Sequence, residues 1–189
     1  SKMVGRWPEG AALTGTGDPD ASAPEADRLR HDPTDRGGLA CPPGAHVRRA
    51  HPLDLSGSRR GMSSGTRRHR LLRRGRPYGN PCPDPSIPER ARTTSTGRAP
   101  GTDERGLMFL CLNSDIGNQF EFVQQAWVNN PKFDGGVESI DPIAGQPMRA
   151  GHPTTFVVPE QPVHRRVEGW SPAIRVRGGA YFFLPGMNA

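Results

Sequence analysis

Proline and glycine interrupt this chain so densely that few stretches are free to build regular structure. Glycine takes 24 positions and proline 21, close to a quarter of the 189 residues. Proline lacks a backbone donor and locks φ, while glycine loses the most freedom on ordering. Such a chain packs only where the two thin out. Hydrophobic residues make up 33%, so the core is small, or a cofactor, another domain or a second chain completes it. The length suits one domain, or one domain with a long irregular arm.

Residues 8–40 are rich in Pro, Gly, Asp and Ala and read as an extended arm or long loop. A short helical turn is expected around His46, bounded by Pro42-Pro43 and Pro52. Residues 52–66 and 80–105 read as loop. Arg68 to Arg74 has strand character, with Arg67, His69, Leu71 and Arg73 on one face. The punctuation relaxes over 105–189. Gly106-Leu-Met-Phe-Leu-Cys-Leu112 is a continuous apolar run fit for a central strand. Asn113 and Ser114 can cap a helix over about 115–129, with Ile116, Phe120, Val123, Gln124 and Trp127 on one face. Asn129-Asn-Pro131 stops it. Thr154–Val158 reads as a strand, and 173–185 as a hairpin around Gly178-Gly179. Antiparallel strands with a packed helix make an α+β layer.

The net charge is +6 and almost wholly arginine, since Lys2 and Lys132 are the only lysines. Arginine suits bidentate pairing with carboxylate or phosphate. The run Arg67-Arg-His-Arg-Leu-Leu-Arg73-Arg-Gly-Arg76 therefore admits a nucleic-acid reading. Only Tyr78 stands near to stack on a base, and a solvated basic strand is the plainer account. Cys41, Cys82 and Cys111 are odd in number and irregular in spacing, so they form no disulfide framework. Reduced thiols in a cytoplasmic protein are the expectation. No apolar run approaches the ~20 residues that span a bilayer, and no signal-peptide core is visible.

Two metal readings compete with a structural role for the histidines. His46 could serve as single axial ligand to a haem iron, if a carboxylate or carbonyl took its other ring N–H. Asp141, in Ser139-Ile-Asp-Pro-Ile-Ala-Gly145, and Glu138 could supply that acceptor. Cys41, His46, His51 and Cys82 offer four N/S donors for zinc, but at no recognised spacing and with prolines between them.

Six segments, in order, resemble the dye-decolourising peroxidase family: Lys2-Met-Val-Gly-Arg-Trp7-Pro; Leu39-Ala-Cys-Pro-Pro-Gly-Ala-His46-Val-Arg-Arg-Ala50; His69-Arg-Leu-Leu-Arg73-Arg-Gly-Arg-Pro-Tyr-Gly79; Arg105-Gly-Leu-Met-Phe109; Ile116 through Trp127 to Pro131; and Gly178-Gly-Ala-Tyr-Phe-Phe-Leu-Pro185. They span nearly the whole chain. The resemblance implies a ferredoxin-like α+β module, the C-terminal of two, holding one haem b. Its boundaries would be an irregular arm or linker over 1–40, left from a truncated first module, and the haem-binding domain over 41–189.

The resemblance also implies roles. His46 matches the proximal iron ligand, with Asp141 as the acid behind it and Glu138 as runner-up. Arg73 matches a distal arginine that stabilises negative charge on peroxide. Leu107 and Phe109 match apolar distal positions. Arg48 and Arg49 are expected at the haem propionates, and Trp127 is a candidate for electron transfer to bulky dyes. Hydrogen peroxide and aromatic or dye reductants are the implied partners, with no nucleic acid and no membrane.

Two departures stand out. The family's Gly-x-x-Asp-Gly motif, whose aspartate handles the peroxide proton, is absent from these 189 residues; Phe133-Asp-Gly-Gly136 lacks its leading glycine. His51 stands where the family run leads one to expect asparagine. Either a missing module or a second copy completes the site, or the chain is a catalytically impaired haem- or partner-binding remnant.

Overall fold

A computed structural model describes residues 1–8, 10–14, 35, 37–52, 64–79, 105–135, 139–146, 154–170 and 174–186. The described elements are α+β, as expected. In order they are the short helices α1 (His46–Ala50) and α2 (Ser64–Arg68) and the strands β1 (Leu72–Tyr78) and β2 (Gly106–Leu112). The helical turns Gly117–Glu121 and Val123–Val128, a 3₁₀ turn at Phe133–Gly135, and the strands β3 (Thr155–Val158) and β4 (Arg165–Glu168) follow. The chain divides into two compact units, one from Ser1–Arg70 with Gly117–Ala189, the other from Leu71–Ile116.

In the first unit, α1 is only five residues long, as its flanking prolines dictate. Ala45 precedes it and offers no capping side chain. The orphan donors of the first turn are satisfied from elsewhere: the N–H groups of His46 and Val47 donate to the carbonyls of Met3 and Val4, at 2.9 and 3.0 Å. This brings the N-terminal segment against the helix. Gly5 is required there, with φ of +92° and no room for a Cβ beside Val47. The Lys2 ammonium donates to the carbonyls of Leu39 and Ala40, and the Asp35 carboxylate accepts the N–H groups of Ala40 and Cys41. Leu13, Cys41 and Ala45 form a small core, with Trp7 and Val47 packed on it. The described part of the expected arm, 1–8 and 10–14, is thus a packed element rather than a free linker. Its anchoring combines backbone groups with the Lys2 ammonium and the side chains of Trp7 and Leu13.

The helix expected over 115–129 is present but wound wide. The Asn129 N–H reaches back five residues to the Gln124 carbonyl, a π-type turn. Neighbouring residues Trp127 and Val128 are consequently both buried, together with Val123. Each such side chain contributes about 1.5–3 kcal/mol of burial. Strands β3 and β4 pair antiparallel from Thr155↔Glu168 to Val158↔Arg165. Phe156 on β3 is fully buried and meets Trp170 edge-on. The hairpin expected over 173–185 is not formed among the described residues: 174–186 runs without ladder pairing, and Phe182 and Phe183 are exposed.

In the second unit, β1 and β2 pair antiparallel from Leu72↔Leu112 to Tyr78↔Gly106. The strand expected over 68–74 therefore begins later and runs through Pro77. The apolar run 106–112 is a strand, but not a central one. Among the described residues it pairs with β1 alone, and Leu107, Met108, Phe109, Leu110 and Leu112 are 46–57% exposed. A continuous apolar run fixes the strand but says nothing of how many neighbours cover it. No helix among the described residues is long and apolar enough to cross a membrane.

Candidate functional site

The site is built where α1 meets the turn Asp141-Pro-Ile-Ala-Gly145. His46 is the first residue of α1, and its Nδ1 lies 2.9 Å from Oδ2 and 3.1 Å from Oδ1 of Asp141. The carboxylate is an acceptor, so Nδ1 carries the proton and Nε2 is left with its lone pair. The imidazole is 31% exposed while the Asp141 side chain is fully buried. The ring is gripped from inside and open to the outside.

Asp141 is held by several groups. Its Oδ1 accepts the N–H groups of Ile143 and Ala144, both at 2.8 Å, in the manner of an Asx turn. Its own N–H donates to the Val128 carbonyl at 2.9 Å, and its carbonyl accepts the Gly145 N–H at 3.1 Å. A Cβ at residue 145 would overlap that carbonyl oxygen, which explains the glycine. Burial alone would raise the Asp141 pKa. The hydrogen bond and charge of His46 and the two backbone donors outweigh it and hold the carboxyl below its ordinary range. Glu138, the other candidate acid, lies outside the described residues.

Arg48 and Arg49, expected at the haem propionates, are both buried. Arg48 is buried, donates to the Cys41 carbonyl at 2.8 Å and pairs with Asp134 at 3.6 Å. Arg49 is 0% exposed. Its Nε donates to Gly44 O at 3.3 Å, one Nη to Trp127 O and Asn130 O at 2.8 Å each, and the other Nη to Ser139 O. Burial pushes this guanidinium down to about 10, against the pull of Asp141 and Asp134, so it stays cationic at neutral pH. Both arginines, expected at the propionates, engage backbone carbonyls and a buried aspartate within the fold.

Trp127 is buried, 5.4 Å edge-on from both His69 and Phe122 and 6.5 Å from Phe133. His69 stacks on Phe122 at 3.7 Å and its Nδ1 meets the Asn118 carbonyl. Nothing in the local sequence marks His69 and Phe122 as neighbours, since fifty-odd residues separate them.

Arg73, Leu107 and Phe109 belong to the second unit, and the register relates them. Arg73 is opposite Cys111, Gly75 opposite Phe109 and Pro77 opposite Leu107. Directly paired residues of an antiparallel ladder point to the same side. The guanidinium and the two apolar side chains thus share one face of the β1–β2 ribbon, with Arg73 exposed.

Among the described residues, no group of three or more His, Cys, Asp and Glu comes together to hold a metal. Cys41 is fully buried, and burial, with Asp35 adding to it against Arg48, Lys2 and Arg6, pushes its thiol up to about 12. It is not poised as a thiolate ligand, and Cys82 lies outside the described residues. What remains is one oriented imidazole with a carboxylate behind it. That set fits a group whose metal needs a single protein ligand, as haem iron does.

An α+β chain presenting one such histidine is compatible with a single-histidine metal or haem site, and relatives narrow the reading. No family model matches the chain. It is 36% identical over 194 residues to the multifunctional dye peroxidase DyP2 of Amycolatopsis sp., covering 98% of this chain and 39% of that protein. It is 32% identical over 214 residues to a dye-decolorizing peroxidase of Auricularia auricula-judae, covering 100% and 38%. The solved structure of the Amycolatopsis protein superposes with a TM-score of 0.67 at 34% identity, over 92% of this chain and 36% of that one. A DyP-type peroxidase of Anabaena sp. gives 0.66 at 26% identity, over 89% and 33%. By sequence and by its α+β fold, the chain is similar to dye-decolourising peroxidases over nearly its whole length. It spans about two-fifths of the length of the curated relatives it matches.

Proposed function

We propose that this chain is the haem-binding part of a dye-decolourising peroxidase. The observation that carries the reading is the His46–Asp141 pair, 2.9 Å apart, with a buried carboxylate fixing the tautomer of a half-exposed imidazole. His46 would hold the iron of one haem b through Nε2. Once bound, haem supplies the redox chemistry that reduces hydrogen peroxide and oxidises dyes and phenols one electron at a time.

The chain's own residues do the rest. Asp141 keeps the Nδ1 proton and makes His46 a stronger donor. Arg73 carries a fixed positive charge suited to stabilise negative charge on a peroxide oxygen. Leu107 and Phe109 give the same ribbon face an apolar character beside it. Buried Trp127, among His69, Phe122 and Phe133, is an inner relay rather than a surface contact for dyes. The proton-handling aspartate of a Gly-x-x-Asp-Gly motif is absent from these 189 residues, so a further module would have to supply it. The free thiols of Cys41 and Cys111 accord with a cytoplasmic setting.

Haem titration tests the reading. The chain is expected to develop a Soret band that His46→Ala abolishes while its far-UV spectrum is kept. No uptake, together with steeply salt-dependent DNA binding, refutes it. Haem uptake without peroxide turnover would mark these 189 residues as a haem-binding remnant, an outcome the absent Gly-x-x-Asp-Gly motif favours.

A further inference from the structure

Arg49 is a cation with no exposed surface, and a buried charge is costly unless every donor is used. Its four acceptors are not scattered. Gly44 lies two residues before His46, and Ser139 two residues before Asp141. Trp127 and Asn130 bracket Val128, whose carbonyl receives the Asp141 N–H. One planar group therefore grips the peptide leading into the histidine, the peptide leading into the aspartate, and the helical end that supports the aspartate from behind. Arg49 itself stands on α1 three residues after His46, one turn along the same helix. Its guanidinium also lies 5.2 Å above the Phe133 ring, which fixes its plane.

We propose that Arg49 is a positioning residue for the proximal side: it sets the distance and angle between the His46 imidazole and the Asp141 carboxylate, through the carbonyls of Gly44, Trp127, Asn130 and Ser139. The consequence for iron ligation rests on the function proposed above; the effect on the His46–Asp141 pair does not. Only arginine suits the task. A rigid fork with five donors reaches carbonyls in divergent directions, whereas lysine offers three donors from one atom. Arg48 provides a matched control. It is also buried on the same helix, but it donates to the Cys41 carbonyl and pairs with Asp134 rather than holding the carbonyls of Gly44, Trp127, Asn130 and Ser139.

The test is NMR of the 189-residue chain without haem, reading the His46 Nδ1–H resonance that the carboxylate should shift downfield and protect. Loss of the signal in Asp141→Asn assigns it. In Arg49→Lys and Arg49→Met, with an unchanged far-UV spectrum, the resonance is expected to move upfield and exchange with water about tenfold faster or more. Arg48→Met should lower the melting temperature and leave the resonance in place. An unmoved resonance in a folded Arg49 variant overturns the proposal, as does an equal change in Arg48→Met. Loss of the fold in both Arg49 variants overturns it too, since the residue would then be a determinant of folding and nothing finer. If only Arg49→Met unfolds, Arg49→Lys decides. Failure of the wild-type chain to take up haem would strike the function and leave this result standing.

Discussion

Replacing Asp141 by asparagine changes one atom and reverses the logic of the site. Both carboxylate oxygens lie within 3.1 Å of the His46 Nδ1, and Oδ1 also receives the N–H groups of Ile143 and Ala144. An asparagine keeps one acceptor oxygen, and those two backbone donors claim it. The amide NH₂ is then turned toward His46. Two donors cannot face each other, so the imidazole changes tautomer and the proton moves to Nε2, the atom that must be free for a metal. A hydrogen bond to a buried charge contributes about 1.5–3 kcal/mol, which for a chain of this size is roughly 4–8 °C in melting temperature. Haem affinity should fall about 10–100-fold, the usual cost of losing the acceptor behind a ligating histidine. The first quantity is read by circular dichroism melts without haem, the second by Soret titration. The stability difference depends on pH in a defined sense. Because the folded Asp141 pKa is depressed, its contribution is complete above the ordinary carboxylate pKa of about 4 and is lost as pH falls through the lower folded value. Asp141→Asn with unchanged melting temperature and unchanged haem affinity would refute the reasoning.

Arg73 is exposed on β1, so Arg73→Ala should alter stability by no more than about 0.5 kcal/mol. It should slow the peroxide-dependent spectral change of the haem-loaded chain by about 100-fold, and an unaltered rate would remove Arg73 from the distal side. Cys41, with its thiol pushed up to about 12, should resist iodoacetamide at pH 8 in the folded chain and react once denaturant is added, with the less buried Cys111 modified first. Peptide mapping by mass distinguishes the two. Gly5→Ala combines a positive φ with an overlap against Val47 and should cost at least about 2 kcal/mol. An unchanged melting temperature would show that the N-terminal segment does not dock on α1.

What was legible in the sequence was whatever a side chain announces locally. Prolines bracketing His46 delimit α1, the run Gly106–Leu112 is a strand, and the spacing of Val123 and Trp127 marks a helix. Asp141 and Glu138 could both be named as acids to stand behind His46, and the Asp141 carboxylate does meet the ring. What was hidden depends on distant backbone. The docking of residues 1–8 on α1 runs in part through the carbonyls of Met3 and Val4, which every residue type possesses. The charges of Arg48 and Arg49 suggested an anionic ligand, because an arginine's preference for buried carbonyls cannot be told from its preference for carboxylates until the acceptors are located. Strand β4, Arg165-Arg-Val-Glu168, has no apolar alternation, and only the pairing partner β3 reveals it.

The two halves of the proximal pair lie 95 residues apart along the chain. Bringing them together requires closing a long loop, at an entropic cost of about 4 kcal/mol before any contact returns it. Local pieces such as α1 and the β1–β2 ribbon can form early, whereas the histidine is oriented only after Asp141 arrives. During synthesis from the N-terminus, His46 therefore spends the intervening stretch as an ordinary, freely rotating imidazole. The order of assembly follows from that spacing: the polypeptide closes first, and the oriented imidazole exists only afterwards.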